Sequence, residues 1–189
     1  MTAIQTDTLP HLAGSSTLVS VGDDYGILTA GHVAKEIKSD PSYEVSLLFR
    51  SDEHHFPVPV ESLSVINFGN WEEFTKEGPD LALLTINSPA TIAELKRSKS
   101  FYPLGGRQTE KFPAPRKFLT WALLGAPIEL SKTKQVGRDT ILSSEMFFAW
   151  CHLEGEAVRG DFDFLEFIVP SSIDSRPSCY KGLSGVAFG

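Results

Sequence analysis

The chain has 189 residues, of which 41% are hydrophobic and 22% are charged, an ordinary composition that excludes a disordered protein. The 24 acidic and 17 basic residues give a net charge of −7, so neither nucleic acids nor anionic membranes are expected partners. The sequence shows no signal peptide and no apolar run long enough to span a membrane. We therefore expect a cytoplasmic protein, and nothing in the sequence indicates its oligomeric state.

Short apolar or alternating segments, separated by turn-forming residues, recur along most of the chain. In chain order they read STLVSVG, YGILTA, YEVSLLF, FPVPV, SLSVIN, LALLTI, FLTWALLG, MFFAWCHL and FLEFIVP. Many short strands with Gly, Pro and Asp between them favour a sandwich or a barrel over alternating βαβ units. We therefore predict an all-β protein and, among such folds, a β-barrel.

Helical periodicity is present in only two segments, GHVAKEIKS at 31–39 and SPATIAELKRS at 88–98. In the second, Ser88 can cap a helix and Pro89 suits its first turn. Because this segment continues into the polar sequence KRSKS, we predict the junction between an N-terminal and a C-terminal half around 88–100. A plain surface loop would have the same composition.

Cysteines and histidines indicate neither a disulfide framework nor a metal site. Cys151 and Cys179 are the only cysteines, and we expect two free buried thiols, with one disulfide as the alternative in an oxidising compartment. In SDEHH, His54 and His55 follow two acidic residues, but adjacent side chains on a strand point to opposite faces. We therefore predict no metal and no cofactor.

Two segments in the first half carry a candidate base and its carboxylate. In YGILTAGHVAKEI, a strand-like run delivers His32 to the start of a short helical segment, where a rigid backbone can present the ring to a cleft. In GPDLALLTI, Asp80 precedes a run typical of a buried strand, so its carboxylate needs a partner such as an imidazole N–H. The ordinary alternatives are a structural histidine and a turn aspartate.

A third segment, CYKGLSGV near the C-terminus, carries a candidate nucleophile. Glycines lie two residues before and one residue after Ser184, an arrangement that can expose a hydroxyl and free backbone N–H groups. Ser184 could attack a carbonyl while the N–H groups of Gly182 and Ser184 stabilise the oxyanion. An ordinary Gly-Ser turn is the alternative.

The three candidates follow one another in the order His32, Asp80, Ser184, which is the chymotrypsin order and not that of subtilisin or the α/β-hydrolases. The segments LTAGHV, PDLALL and GLSG resemble the three signature segments of trypsin-like serine peptidases of the chymotrypsin fold, particularly the bacterial, disulfide-poor members. The similarity extends from about residue 15 to the end of the chain.

The resemblance implies two antiparallel β-barrels with the active site in the cleft between them. The N-terminal barrel, 1–88, would carry the histidine and the aspartate, and the C-terminal barrel, 89–189, would carry the serine.

The resemblance also implies a role for each residue in the hydrolysis of a protein or peptide substrate without a cofactor. His32 would be the general base and acid, Asp80 the orienting carboxylate and Ser184 the nucleophile. The backbone N–H groups of Gly182 and Ser184 would form the oxyanion hole.

The chain departs from the family at three points. Val186 stands where the family has a second glycine, and Ser178, six residues before the serine, stands where trypsin has an acidic pocket base. Only five residues follow Ser184, whereas the family continues further, so we expect an incomplete second barrel. The alternative to a peptidase is a catalytically inactive, protease-like binding module or fragment that pairs its open edge with a partner strand.

Overall fold

The structure is a computed structural model that describes residues 2–5, 10–49, 55–68, 79–105, 120–137, 139–159 and 162–169. Within these ranges the protein is mostly β, as predicted, with two α-helices. The first half contains β1 (Thr2–Gln5), β2 (His11–Gly14), β3 (Ser16–Val21), β4 (Asp24–Thr29), α1 (Gly31–Ser39), β5 (Glu44–Leu48), β6 (His55–Val58), β7 (Leu63–Asn67) and β8 (Ala82–Ile86). The second half contains α2 (Pro89–Ser98), β9 (Tyr102–Pro103), β10 (Thr120–Gly125), β11 (Ser131–Val136), β12 (Asp139–Ser144), β13 (Phe147–Arg159) and β14 (Phe162–Ile168).

The described strands form four sheets, and none of these sheets closes into a barrel. The strand orders are β2-β1-β5-β6, β7-β8-β4-β3-β9, β10-β13-β14 and β11-β12. Every pairing is antiparallel except that of β3 with β9, which brings Tyr102 and Pro103 into a sheet otherwise built from the first half. The two-barrel arrangement and the division of the chain near residue 88 stay predictions.

Both helices begin and end where the sequence predicted them. In α2, the Ser88 hydroxyl oxygen accepts a hydrogen bond from the Thr91 N–H at 3.2 Å, and Pro89 occupies the first turn. In α1, Val33, Ala34 and Ile37 are buried, which is the three-to-four residue spacing of one helix face. That face packs into the main hydrophobic core, whose other members include Ile27, Leu47, Leu84 and Leu95.

Two central strands of the five-stranded sheet, β4 and β8, position the segments that carry His32 and Asp80. β4 pairs antiparallel with β8, from Gly26 opposite Thr85 to Thr29 opposite Ala82. A Cβ added at Gly26 would lie 2.7 Å from Leu83 Cδ1 and 2.8 Å from the Leu84 carbonyl oxygen. Glycine at this position therefore allows the close approach of two strands that a side chain would force apart.

We predict that Gly26→Ala destabilises the fold by about 1–3 kcal/mol, because the new methyl group collides with backbone as well as with a leucine side chain. Urea unfolding monitored by circular dichroism measures the change. Gly155→Ala is the matched control in another strand, since its nearest neighbour would be Glu166 Oε2 at 3.9 Å. Equal stabilities of the two variants would contradict the steric argument.

Candidate active site

His32 lies on the first turn of α1, directly after the strand that enters the core. The residues around it, Ala30, Gly31 and Val33, are buried, so the backbone is held on both sides of the histidine. The His32 side chain itself is 50% exposed. A fixed backbone with an accessible ring is the arrangement that a proton-transfer residue requires.

Asp80 lies two residues before β8, next to the end of β4. Because β4 and β8 run antiparallel, the last residue of β4 and the first residue of β8 lie next to each other at the same end of the two strands. The Asp80 side chain is 34% exposed. The sheet register therefore brings Asp80 to His32, although the two residues are separated by 48 positions in the sequence.

Two hydrogen bonds join Asp80 to His32. The His32 backbone N–H donates to Asp80 Oδ1 at 2.9 Å, and Nδ1 of the ring lies 2.5 Å from Oδ2. Since an ionised carboxylate only accepts, the ring proton is on Nδ1. In the neutral form of the ring, Nε2 then carries a lone pair, and none of the described residues hydrogen-bonds to this nitrogen.

The bond to the backbone N–H also gives Asp80 a structural role. Ala30, at the N-cap of α1, has no side chain that can accept a hydrogen bond, and the first turn contains no acidic residue. Asp80 supplies the missing acceptor from another segment, and its charge is favourable near the positive end of the helix dipole. One carboxylate thus caps the helix and orients the ring.

We predict that Asp80→Ala lowers the free energy of unfolding by about 0.5–2 kcal/mol, as the loss of a helix cap does. Asp80→Asn keeps an amide oxygen that can accept the His32 N–H and is expected to lose less. Chemical denaturation measures both variants. Glu36→Ala is the control, because it removes only the exposed pair between Glu36 and His11, which contributes at most about 1 kcal/mol. If both Asp80 variants lose the same free energy of unfolding, the hydrogen bond from the His32 N–H to the side-chain oxygen does not stabilise α1.

Two hydrogen bonds of Ser15 connect the last residue of β4 to the second half of the chain. The buried Thr29 hydroxyl donates to the Ser15 carbonyl at 2.9 Å, and the Ala126 N–H donates to the Ser15 hydroxyl oxygen at 3.0 Å. Ser15 therefore links the strand that delivers His32 to the turn that follows β10. Sequence reasoning missed this connection; the signal was Thr29, a polar residue that closes an apolar strand and needs a partner.

We predict that Ser15→Ala destabilises the protein by about 1–3 kcal/mol, because it leaves the buried Ala126 N–H without its acceptor. Ser143→Ala serves as the control, since the Ser143 hydroxyl makes an exposed hydrogen bond to the Lys132 carbonyl. Thermal unfolding compares the two. If both variants unfold at the same temperature as the wild type, the hydrogen bond between the Ser15 hydroxyl and the Ala126 N–H does not contribute to stability.

Two other groups of a type that can take part in catalysis lie outside the His32–Asp80 pair. His11 Nε2 is 2.9 Å from Glu36 Oε1, with both side chains exposed. Cys151 is a buried free thiol, and burial raises the pKa of this thiol, so it stays protonated and is a poor nucleophile. Among the described residues no three His, Cys, Asp or Glu side chains come together as a metal site.

The structure thus brings together two of the residues that the sequence singled out. His32 and Asp80 are in contact, whereas Ser184, Gly182 and Ser178 lie outside the described residues, as do His54 and Cys179. The catalytic roles of His32, Asp80 and Ser184, the oxyanion-hole role of Gly182 and Ser184 and the specificity-pocket role of Ser178 stay predictions.

Comparison with known proteins does not assign a family to this chain. No protein-family model matches the chain, and no curated protein or solved structure matches it. In the described part of the chain, neither helix has the length and apolar character needed to cross a membrane.

Proposed function

We propose that the protein is a serine endopeptidase that hydrolyses peptide bonds through Ser184, His32 and Asp80. The observation that carries the proposal is the hydrogen bond between His32 Nδ1 and the Asp80 carboxylate, made by a histidine whose side chain is 50% exposed. A histidine held in this tautomer by a carboxylate is half of the arrangement that activates a serine. The order of the three residues in the chain and the segment GLSG supply the other half.

In the proposed reaction, the Ser184 hydroxyl oxygen attacks the carbonyl carbon of the scissile bond while His32 Nε2 takes the hydroxyl proton. The N–H groups of Gly182 and Ser184 stabilise the negative charge on the carbonyl oxygen. His32 then gives its proton to the leaving amine, and an acyl-enzyme remains. Water then attacks the ester while the same nitrogen takes its proton, and Nε2 returns this proton to the Ser184 oxygen as the second product leaves, which restores the free serine.

Asp80 would act in this reaction through His32. Its carboxylate keeps the proton on Nδ1 and stabilises the imidazolium that forms when Nε2 accepts a proton. By resemblance to trypsin-like peptidases, the site would lie in a cleft between two β-barrels. Ser178, at the predicted base of the specificity pocket, carries no charge, so the proposal includes no preference for Lys or Arg.

The second candidate function is a catalytically inactive binding module of the same ancestry. Two observations favour it: the Asp80 cap on α1 explains the Asp80 contacts without chemistry, and β10 lies at the edge of its sheet in the described part of the chain. An edge strand can accept a strand from a partner.

We predict that a fluorophosphonate probe labels the purified wild-type chain, because an activated serine displaces fluoride and forms a stable bond from its oxygen to phosphorus. Ser184→Ala and His32→Ala should each abolish labelling. Fluorescence of the labelled band after denaturing electrophoresis, followed by mass spectrometry of the modified peptide, measures the reaction and its position.

The matched controls are Ser172→Ala, a serine of the same C-terminal region, and His11→Ala, another exposed histidine paired with a carboxylate. Both should label as the wild type does. A wild-type chain that is folded by circular dichroism and takes up no label would reject the peptidase and support the binding module.

Asp80→Asn separates the two roles of Asp80. Its amide can cap α1, but it presents an N–H to the ring and favours the wrong tautomer, a change that lowers the rate of serine peptidases roughly 10⁴-fold. We expect a comparable loss in the rate of probe labelling with the fold retained. A rate equal to that of the wild type would reduce Asp80 to a helix cap.

A further inference from the structure

The backbone of Ser15 is attached to the strand that delivers His32. Ser15 directly precedes β3, and the first residue of β3, Ser16, pairs with Thr29 at the end of β4. The Thr29 hydroxyl also donates to the Ser15 carbonyl oxygen at 2.9 Å. Strand pairing and a side-chain hydrogen bond therefore both join Ser15 to the last residue of β4.

The hydroxyl group of Ser15 bonds to the second half of the chain. Its oxygen accepts a hydrogen bond from the Ala126 N–H at 3.0 Å, and Ala126 directly follows β10. Because all six residues of β10 pair with β13, Ala126 is attached to the sheet β10-β13-β14. Ser15 thus connects β4 to a sheet of the second half.

This connection is buried. Ser15 is 7% exposed, Thr29 is 2% exposed and Ala126 is 0% exposed, so loss of the Ser15 hydroxyl would leave a buried N–H without its acceptor. Another hydrogen bond between the two halves, from the Thr133 hydroxyl to the Pro10 carbonyl oxygen at 3.2 Å, is exposed. Water can replace a partner at the exposed bond, whereas the chain around Ala126 has to move to find another acceptor.

The position of Thr29 determines that of His32. Only Ala30 and Gly31 separate the two residues, and both are buried. Asp80 is bonded to His32, so the pair moves with the end of β4, whereas Ser184 belongs to the second half of the chain. A proton passes from a serine hydroxyl to Nε2 only within hydrogen-bond reach. The reaction proposed above therefore depends on how the two halves are placed.

We propose that Ser15 is a positioning residue, whose two hydrogen bonds place the His32–Asp80 pair relative to the part of the chain that carries Ser184. The inference rests on the proposed function, because it gives Ser15 a part in that reaction. Ser15 acts through Thr29 and Ala126 and is not a catalytic residue. Since a misplacement of about 1 Å can cost roughly 10²-fold in rate, loss of the hydroxyl slows the reaction without abolishing it.

The rate of labelling by a fluorophosphonate probe tests the proposal, at a temperature where circular dichroism shows each variant to be folded. Ser15→Ala should lower the rate constant at saturating probe by about 10- to 100-fold and leave the half-saturating probe concentration unchanged. Ser15→Thr keeps a hydroxyl at this position and should label faster than Ser15→Ala. Thr133→Ala, which removes the exposed bond, is the matched control and should label as the wild type does.

Two further measurements separate positioning from a general loss of stability. Val58→Ala removes buried methyl groups from β6 and so destabilises the core, but it removes no hydrogen bond and should label at the wild-type rate. The proton NMR resonance of the His32 Nδ1–H should be the same in the wild type and in Ser15→Ala, because its bond to Asp80 lies within the first half.

The outcomes distinguish this inference from the proposed function. A folded wild-type chain that takes up no label overturns the peptidase and, with it, this role of Ser15. A labelled wild type with an equally fast Ser15→Ala overturns the role of Ser15 alone. An equal slowing in Val58→Ala, or a changed His32 resonance in Ser15→Ala, would also overturn it, because the hydroxyl would then act through stability or on the His32–Asp80 pair itself.

Discussion

Antiparallel pairing between β4 and β8 determines where the candidate active site lies. The pairing places Thr29 opposite Ala82, and His32 and Asp80 follow and precede these residues by three and two positions. A shift of one residue in this register would turn the side chains of one strand to the opposite face of the sheet and would carry Asp80 past the start of α1. Gly26 belongs to the same constraint, because it lets β8 approach β4 closely enough for the register to be kept.

The site is held in place by the packing of α1 rather than by the contact between His32 and Asp80. A half-exposed pair of this kind contributes about 0–1 kcal/mol, whereas burial of each large aliphatic side chain contributes about 1.5–3 kcal/mol, and α1 buries Val33 and Ile37 completely. Most of the free energy that holds α1 in place therefore comes from packing and not from Asp80. Asp80 Oδ1 then meets a backbone N–H whose position is already fixed, and this fixes where Oδ2 meets the ring. A carboxylate held at one oxygen by the backbone can orient a histidine more closely than one held by the ring alone.

Local sequence patterns predicted the elements whose signals are local. Ser88 and Pro89 mark the start of α2, and the spacing of Val33, Ala34 and Ile37 marks α1. The contact of His32 with Asp80 was expected because a carboxylate at the entry of a buried strand needs a donor. The hairpin of β11 and β12 was not predicted. β11 reads SKTKQV and its side chains are largely exposed, so the segment lacks the alternation of apolar and polar residues that predicts a strand.

Features that depend on distant residues could not be predicted in this way. β9 is two residues long and is defined only by its parallel pairing with β3, which no local pattern encodes. The two predicted barrels required specific pairs of edge strands to meet, and strand patterning does not state which edges do so. The buried hydrogen bonds of Ser15 follow the same rule, because Ala126 is 111 positions away.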